Sequence, residues 1–89
     1  MEFDWDPAKA SLNEQKHGLA FRVVLPVFSD PYLMDIDVSR EADGEARRKA
    51  VGRIGDHVFA LVYSRRGSVI RVISARRANV KEMREYGVR

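Results

Sequence analysis

Residues 51–54, 58–63 and 69–74 form three apolar runs, and the connections between them are too short to allow more than a few arrangements. The first connection is Gly55-Asp56-His57, the second Arg65-Arg66-Gly67-Ser68. Each contains a glycine, the residue that supplies the positive φ that tight hairpins need. Strands joined this closely pair antiparallel, because a parallel pairing needs a crossover of a dozen residues or more. The last two runs are apolar at successive positions, as expected of central strands covered on both faces. The C-terminal half therefore forms a meander, and the N-terminal half must cover or extend it.

The earlier residues supply suitable pieces. Phe3 and Trp5 alternate with Glu2, Asp4 and Asp6, the period of a short edge strand. Asp6-Pro7 pairs an N-cap acceptor with a residue whose missing N–H is harmless at the first helical position. The helix it opens passes through Ala8, Leu12 and Gln15 to Lys16 and His17 and stops at Gly18. Phe21, Val24, Leu25 and Phe28 mark the buried stripe of a second helix. Pro26 requires that helix to begin near Arg22 or Val23, or to kink. After Asp30-Pro31, the apolar residues Met34, Ile36 and Val38 alternate with Asp35, Asp37 and Ser39, a strand with one wet face. Residues 40–46, acidic and containing Gly44, read as a loop. Asn79 and Glu82 have capping-box spacing and open a last helix through Met83 and Tyr86 to Gly87. The order is β-α-α-β-β-β-β-α, one α+β domain over residues 1–89, a small antiparallel sheet with its helices packed on one face.

With no cysteine, neither disulfides nor thiolate zinc can hold this core, so packing must. Acidic Glu2 and Asp4 with no long apolar run argue against a secretory signal or a membrane span, so the expected location is cytoplasmic. Charge is divided unevenly along the chain. Residues 1–45 carry four Lys/Arg against ten Asp/Glu, a balance of −6, and residues 46–89 carry twelve against three, a balance of +9. A basic half of this kind can lie along a polyanion and release its counterions. It can equally be neutralised by the acids of the first half when the domain folds.

Cleaving an RNA phosphodiester without a metal needs a base for the 2′-hydroxyl, an acid for the leaving 5′-oxygen and cations around the phosphorane. The basic half offers Arg65, Arg66, Arg71, Arg76, Arg77, Lys81, Arg84 and Arg89, with Tyr63 and Tyr86 for stacking or proton handling. Arg76 and Arg77 end an apolar strand and are aimed by rigid backbone. Regular alternation puts Arg76 with Ser74 and Val72, and Arg77 with Ala75, Ile73 and Arg71. Both read alternatively as solvated strand ends. Lys16 and His17 suit acid–base work or simply complement the helix dipole. Glu45 and Arg47, two apart, form either a positioned acid and cation or a surface ion pair. Asp35 and Asp37 read as a wet strand edge and His57 as an exposed turn residue. There is no glycine-rich phosphate loop, Ser-His-Asp arrangement, Cys/His cluster or helix-turn-helix pattern.

A collinear set of residues then carries a resemblance. It comprises Phe3-Asp4-Trp5-Asp6, Lys9, Asn13, Lys16-His17-Gly18, Phe21, Val27-Phe28, Asp30-Pro31, Gly44-Glu45-Ala46-Arg47 and Gly52. It continues with Val62-Tyr63, Arg66-Gly67, the stretch 70–78, Glu82 and Tyr86. In these the chain resembles the BrnT toxins of bacterial toxin-antitoxin pairs, departing at Pro26, where a small residue is expected. The resemblance implies a RelE-like fold and metal-independent, cofactor-free endonucleolytic cleavage of RNA that inhibits growth. It also implies neutralisation by a BrnA-type antitoxin, with operator DNA contacted only through the antitoxin complex. Carried onto this sequence, Arg76 and Arg47 would hold the phosphate and His17 or Glu45 would act as base, with Lys16, Tyr63, Arg77 or Tyr86 assisting. The competing reading is a non-catalytic basic module acting only through an antitoxin or a nucleic acid.

Overall fold

The computed structural model describes residues 1–88; Arg89, counted above among the basic residues, lies outside them. The strands are β1 (Glu2–Trp5), β2 (Met34–Asp37), β3 (Arg48–Ile54), β4 (His57–Arg66) and β5 (Val69–Arg77), and the helices are α1 (Pro7–His17), α2 (Phe21–Val24) and α3 (Val80–Gly87). They form one five-stranded sheet in the order β1-β5-β4-β3-β2. The fold class and element order read from the sequence hold. Strands β2 to β5 are the antiparallel meander, turning at Gly55 (φ 60°) and Gly67 (φ 62°). The sheet is mixed, however, because β1 pairs parallel with β5, from Glu2 beside Val69 to Trp5 beside Val72. β4 and β5 also outrun their apolar stretches, since ladder bonds continue through Arg65 and Arg66 opposite Ile70 and Val69. No described helix is long and apolar enough to cross a membrane.

One sheet face carries the main core. Phe21, Val24 and Val27 pack on Ala50, Leu61, Tyr63, Ile70, Val72 and Ala75, flanked by Phe3, Trp5 and Phe28. α1 starts as its sequence requires, with the Asp6 carboxylate accepting from Ala8 N, and ends with Gly18 at φ 69°. Between these caps Asn13 does what a further β1 residue would have done. Its side chain donates to Ala75 O (2.8 Å) and accepts from Ala75 N (3.1 Å), satisfying the β5 edge beyond the end of β1. Pro26 does not kink a long helix but divides it: α2 stops at Val24, and a 3-10 turn, Leu25–Ser29, takes proline in its first turn.

That turn sits close over β3. A Cβ at Gly52 would lie 3.0 Å from both Val27 Cβ and Val27 O, and 3.1 Å from Leu33 Cδ1. We therefore expect Gly52→Ala to destabilise the protein by ~1–3 kcal/mol through overpacking against backbone, seen as a lower melting temperature. An unchanged melt would mean that the 3-10 turn retreats freely.

α3 departs from the expectation of helices on one face. It lies on the opposite face, over Val51, Val58 and Ala60, with Ala78 and Tyr86 packed against them. The chain reaches that face because Ala78 N still donates to Val58 O (2.9 Å) before Asn79 caps the helix. Much of this second face is left open, and the site lies there.

Candidate active site

Strand register sets out the open face in rows. One row runs across the sheet through Ile36, Lys49, Val62 and Ser74; the next runs through Met34, Val51, Ala60 and Arg76. Arg47, two residues before Lys49, extends the same side of β3. Regular alternation would have put Arg76 on the side of Val72, but a bulge intervenes: Val62 pairs with Ser74 while Tyr63 pairs with Val72, leaving Ile73 as the extra residue. Arg76 therefore shares a face with Ser74 but not with Val72, which is in the core. Arg77 shares a face with Ala75 but not with Arg71.

Arg47, Lys49 and Arg76 stand on this side of the sheet in two groups, and each meets a carboxylate. Glu82, on the sheet-facing side of α3, accepts from Arg76 Nη1 (2.6 Å) and Nη2 (2.8 Å). It also pairs with Lys49 Nζ (2.7 Å) and closes the capping box by accepting from Asn79 N (2.9 Å). Burial alone would raise its pKa, but the hydrogen bonds from Arg76, Lys49 and Asn79 and the Arg76 charge win and hold it at about 2. The same hydrogen bonding to Glu82 raises Arg76 further above its ordinary range. Arg47 approaches Asp43 (3.5 Å) and Glu45 (3.4 Å), and Glu45 also approaches Arg66 (3.8 Å). Arg47 Nε is buried without a protein hydrogen-bond partner. Beside it a groove of about 340 Å³ runs between the Arg40–Asp43 turn and the side chains of Val62, Ile73 and Ser74. Lys49 and Arg76, on rigid strands and sharing Glu82, are cations whose positions are set before any anion arrives.

Of the residues singled out in the sequence, the structure pairs Glu45 with Arg47 (3.4 Å) and places Arg76 further along the same face with Lys49 on Glu82; it places the others elsewhere. Tyr63 faces the core, 1% exposed, and its hydroxyl donates to Asp35, which also pairs with Arg48 at 2.6 Å. Burial, then the Asp35 hydrogen bond, push the Tyr63 phenol upward. Arg77 points to the other face, 3.0 Å from His57 Nδ1 and over the Phe59 ring. Lys16 and His17 close α1 at the β5 edge that Asn13 anchors, and their side chains make no hydrogen bond or ion pair with a described residue. Tyr86 donates its hydroxyl to Asp30, away from the cation cluster. Both readings of the charge division have substance. Among the described residues, five ion pairs join acids of the first half to bases of the second, through Asp4–Arg71, Asp35–Arg48, Asp43–Arg47, Glu45–Arg47 and Glu45–Arg66.

Sequence reasoning missed Lys49 and Glu82. Lys49 carried a usable signal, since it alternates with Arg47 at strand spacing. Glu82 was legible only as a cap, and the capping box uses one carboxylate oxygen, leaving the rest of the group to Arg76 and Lys49.

Comparison with known families matches residues 5–82 to the ribonuclease toxin BrnT of type II toxin-antitoxin systems. No curated protein gives a significant match. The matched span covers most of the chain and takes in Glu45, Arg47, Lys49, Arg76 and Glu82. The chain therefore belongs to the BrnT family of ribonuclease toxins of type II toxin-antitoxin systems.

Proposed function

We propose that this protein is a cytoplasmic endoribonuclease that cleaves RNA without a metal ion, inhibits growth by doing so, and is neutralised by a BrnA-type antitoxin whose complex, not this chain alone, reads operator DNA. Family membership supports the ribonuclease toxin and the antitoxin partner. The observation that carries the chemistry is one sheet face that holds the Glu45–Arg47 pair and, further along, Lys49 and Arg76 on a shared Glu82. The 2′-hydroxyl attacks the adjacent phosphorus while its proton passes to the Glu45 carboxylate. The bond from phosphorus to the 5′-oxygen breaks, and that oxygen takes a proton from the Lys49 ammonium. Arginine stays protonated in proteins, so Lys49 is the member of the cluster able to give one. Arg47 and Arg76 neutralise the pentacovalent intermediate, and the products are a 2′,3′-cyclic phosphate and a 5′-hydroxyl. Lys16, His17, Tyr63, Arg77 and Tyr86 stand outside the cluster and are given no step.

The second reading, a basic module that breaks no bond, draws support from the carboxylate that each of the three cations already holds. Incubating the purified protein with total RNA, with and without EDTA, separates the two. Fragments with 5′-hydroxyl ends in both samples are expected. RNA left intact would favour the module, and cleavage stopped by EDTA would refute the metal-free mechanism.

A further inference from the structure

A second concave surface lies at the C-terminal end of α3, a depression of about 580 Å³ lined by Pro31, Tyr32, Arg53, Tyr86 and Gly87. That is within the usual size of small-ligand sites, ~300–1,000 Å³. Its parts are held by one buttress, the Asp30 carboxylate, which accepts from Tyr32 N (2.8 Å), Arg53 N (2.7 Å) and the Tyr86 hydroxyl. Those hydrogen bonds outweigh burial and lower the Asp30 pKa, so the buttress stays ionised. The Tyr32 ring is 72% exposed and stacks on no described ring. Arg53 is exposed, forms no ion pair with a described residue and reaches the Tyr86 hydroxyl. The surface thus offers flat aromatic faces and one delocalised cation, carried on backbone that Asp30 fixes.

From these features we infer that the depression binds an unpaired base of the RNA strand, stacked on Tyr32 beside the Arg53 guanidinium. The inference rests on the ribonuclease reading above. Its location fits. Lys49, Val51 and Arg53 alternate on one face of β3, which puts Arg53 ~13 Å along the strand from Lys49. Glu82 and Tyr86 are likewise one turn apart on α3. A strand whose phosphate sits at Lys49 and Arg76, which share Glu82 on α3, can pass along α3 and bring a neighbouring base to Tyr32. Stacking on tyrosine or on a guanidinium plane is how proteins commonly hold single-stranded RNA. An extended peptide would instead call for a row of main-chain hydrogen-bonding groups, and this lining is rings and a guanidinium.

The test uses the whole protein and a short 2′-O-methyl oligonucleotide, which cannot be cleaved for want of the attacking hydroxyl. Tyr32→Ala should weaken binding by at least about fivefold, and Arg53→Gln should weaken it as well. Tyr32→Phe should bind as the unaltered protein does. A strand of abasic nucleotides should bind the unaltered protein and Tyr32→Ala equally. Tyr32 is exposed, so these changes leave the fold alone, which a melting curve verifies. If the unaltered protein binds and cuts RNA and Tyr32→Ala binds equally well, the inference fails while the ribonuclease reading stands. If the unaltered protein neither binds nor cuts RNA, both fail. Unchanged RNA binding together with a lost complex with the antitoxin would make the depression a protein-docking surface and overturn the inference.

Discussion

Arg76→Ala is expected to cut the rate of RNA cleavage by ~10²–10³-fold, the loss typical when a single preorganised charge donor to an oxyanion is removed. The same change also harms the fold, because Glu82 is 2% exposed and Arg76 supplies two of its hydrogen bonds, at 2.6 and 2.8 Å. A carboxylate left there with only Lys49 and Asn79 N is a partly stranded buried charge. Lost cleavage in the single variant could therefore reflect fewer folded molecules. Adding Glu82→Gln to Arg76→Ala removes the stranded charge without replacing the missing guanidinium. The double variant should melt at a higher temperature than Arg76→Ala and remain as inactive, with the rate measured per folded molecule on a defined RNA. Recovery of cleavage along with stability would show that Arg76 holds α3 in place and takes no part in the chemistry.

That dual role shows what the sequence exposes and what it hides. Alternation and turn chemistry gave the meander, the Asp6-Pro7 start of α1 and the Asn79 cap of α3, because each is decided by neighbours a few residues away. The pairing of β1 with β5 and the Asn13 bonds to Ala75 join residues more than 60 positions apart, and no local pattern encodes them. α3 was legible as a helix but not as a helix on the opposite face: which side it takes depends on where β5 releases the chain. The same limit applies at the site. Arg76 was rightly singled out as strand-borne, yet its assignment to the side of Val72 was wrong because one extra residue at Ile73 shifts the alternation. Glu45 and Arg47 were read as an acid and cation in mutual reach, and they are 3.4 Å apart. Tyr63 looked reactive only because an aromatic residue before two arginines cannot be told from a core residue without knowing which face is covered.

Glu82 should also give this small domain an acid-sensitive joint. Its carboxyl titrates at about 2 in the folded protein against an ordinary 4.5. A depressed folded pKa contributes stability that is complete above the unfolded value and disappears as pH falls through the folded one. The window here is therefore pH 4.5 down to about 2. A gap of that size is worth on the order of 3 kcal/mol, a large share of what a domain of this length possesses. Glu82→Gln keeps the shape and the contact with Asn79 N but removes the charge that joins α3 to β3 and β5 through Lys49 and Arg76. At neutral pH the variant should melt ~10 °C or more below the parent. Lys49 and Arg76 keep access to water, so they lose less than Glu82 would in the reverse experiment. Other carboxylates with depressed values, Asp30, Asp37 and Asp43, weaken the fold in the same direction as acid is added. The diagnostic quantity is thus the difference between the two proteins: it should be greatest above pH 4.5 and shrink toward zero near pH 2. Melting curves that stay parallel across that range would mean that Glu82 does not join α3 to the sheet electrostatically, and that the cations of the cluster are held in place by packing alone.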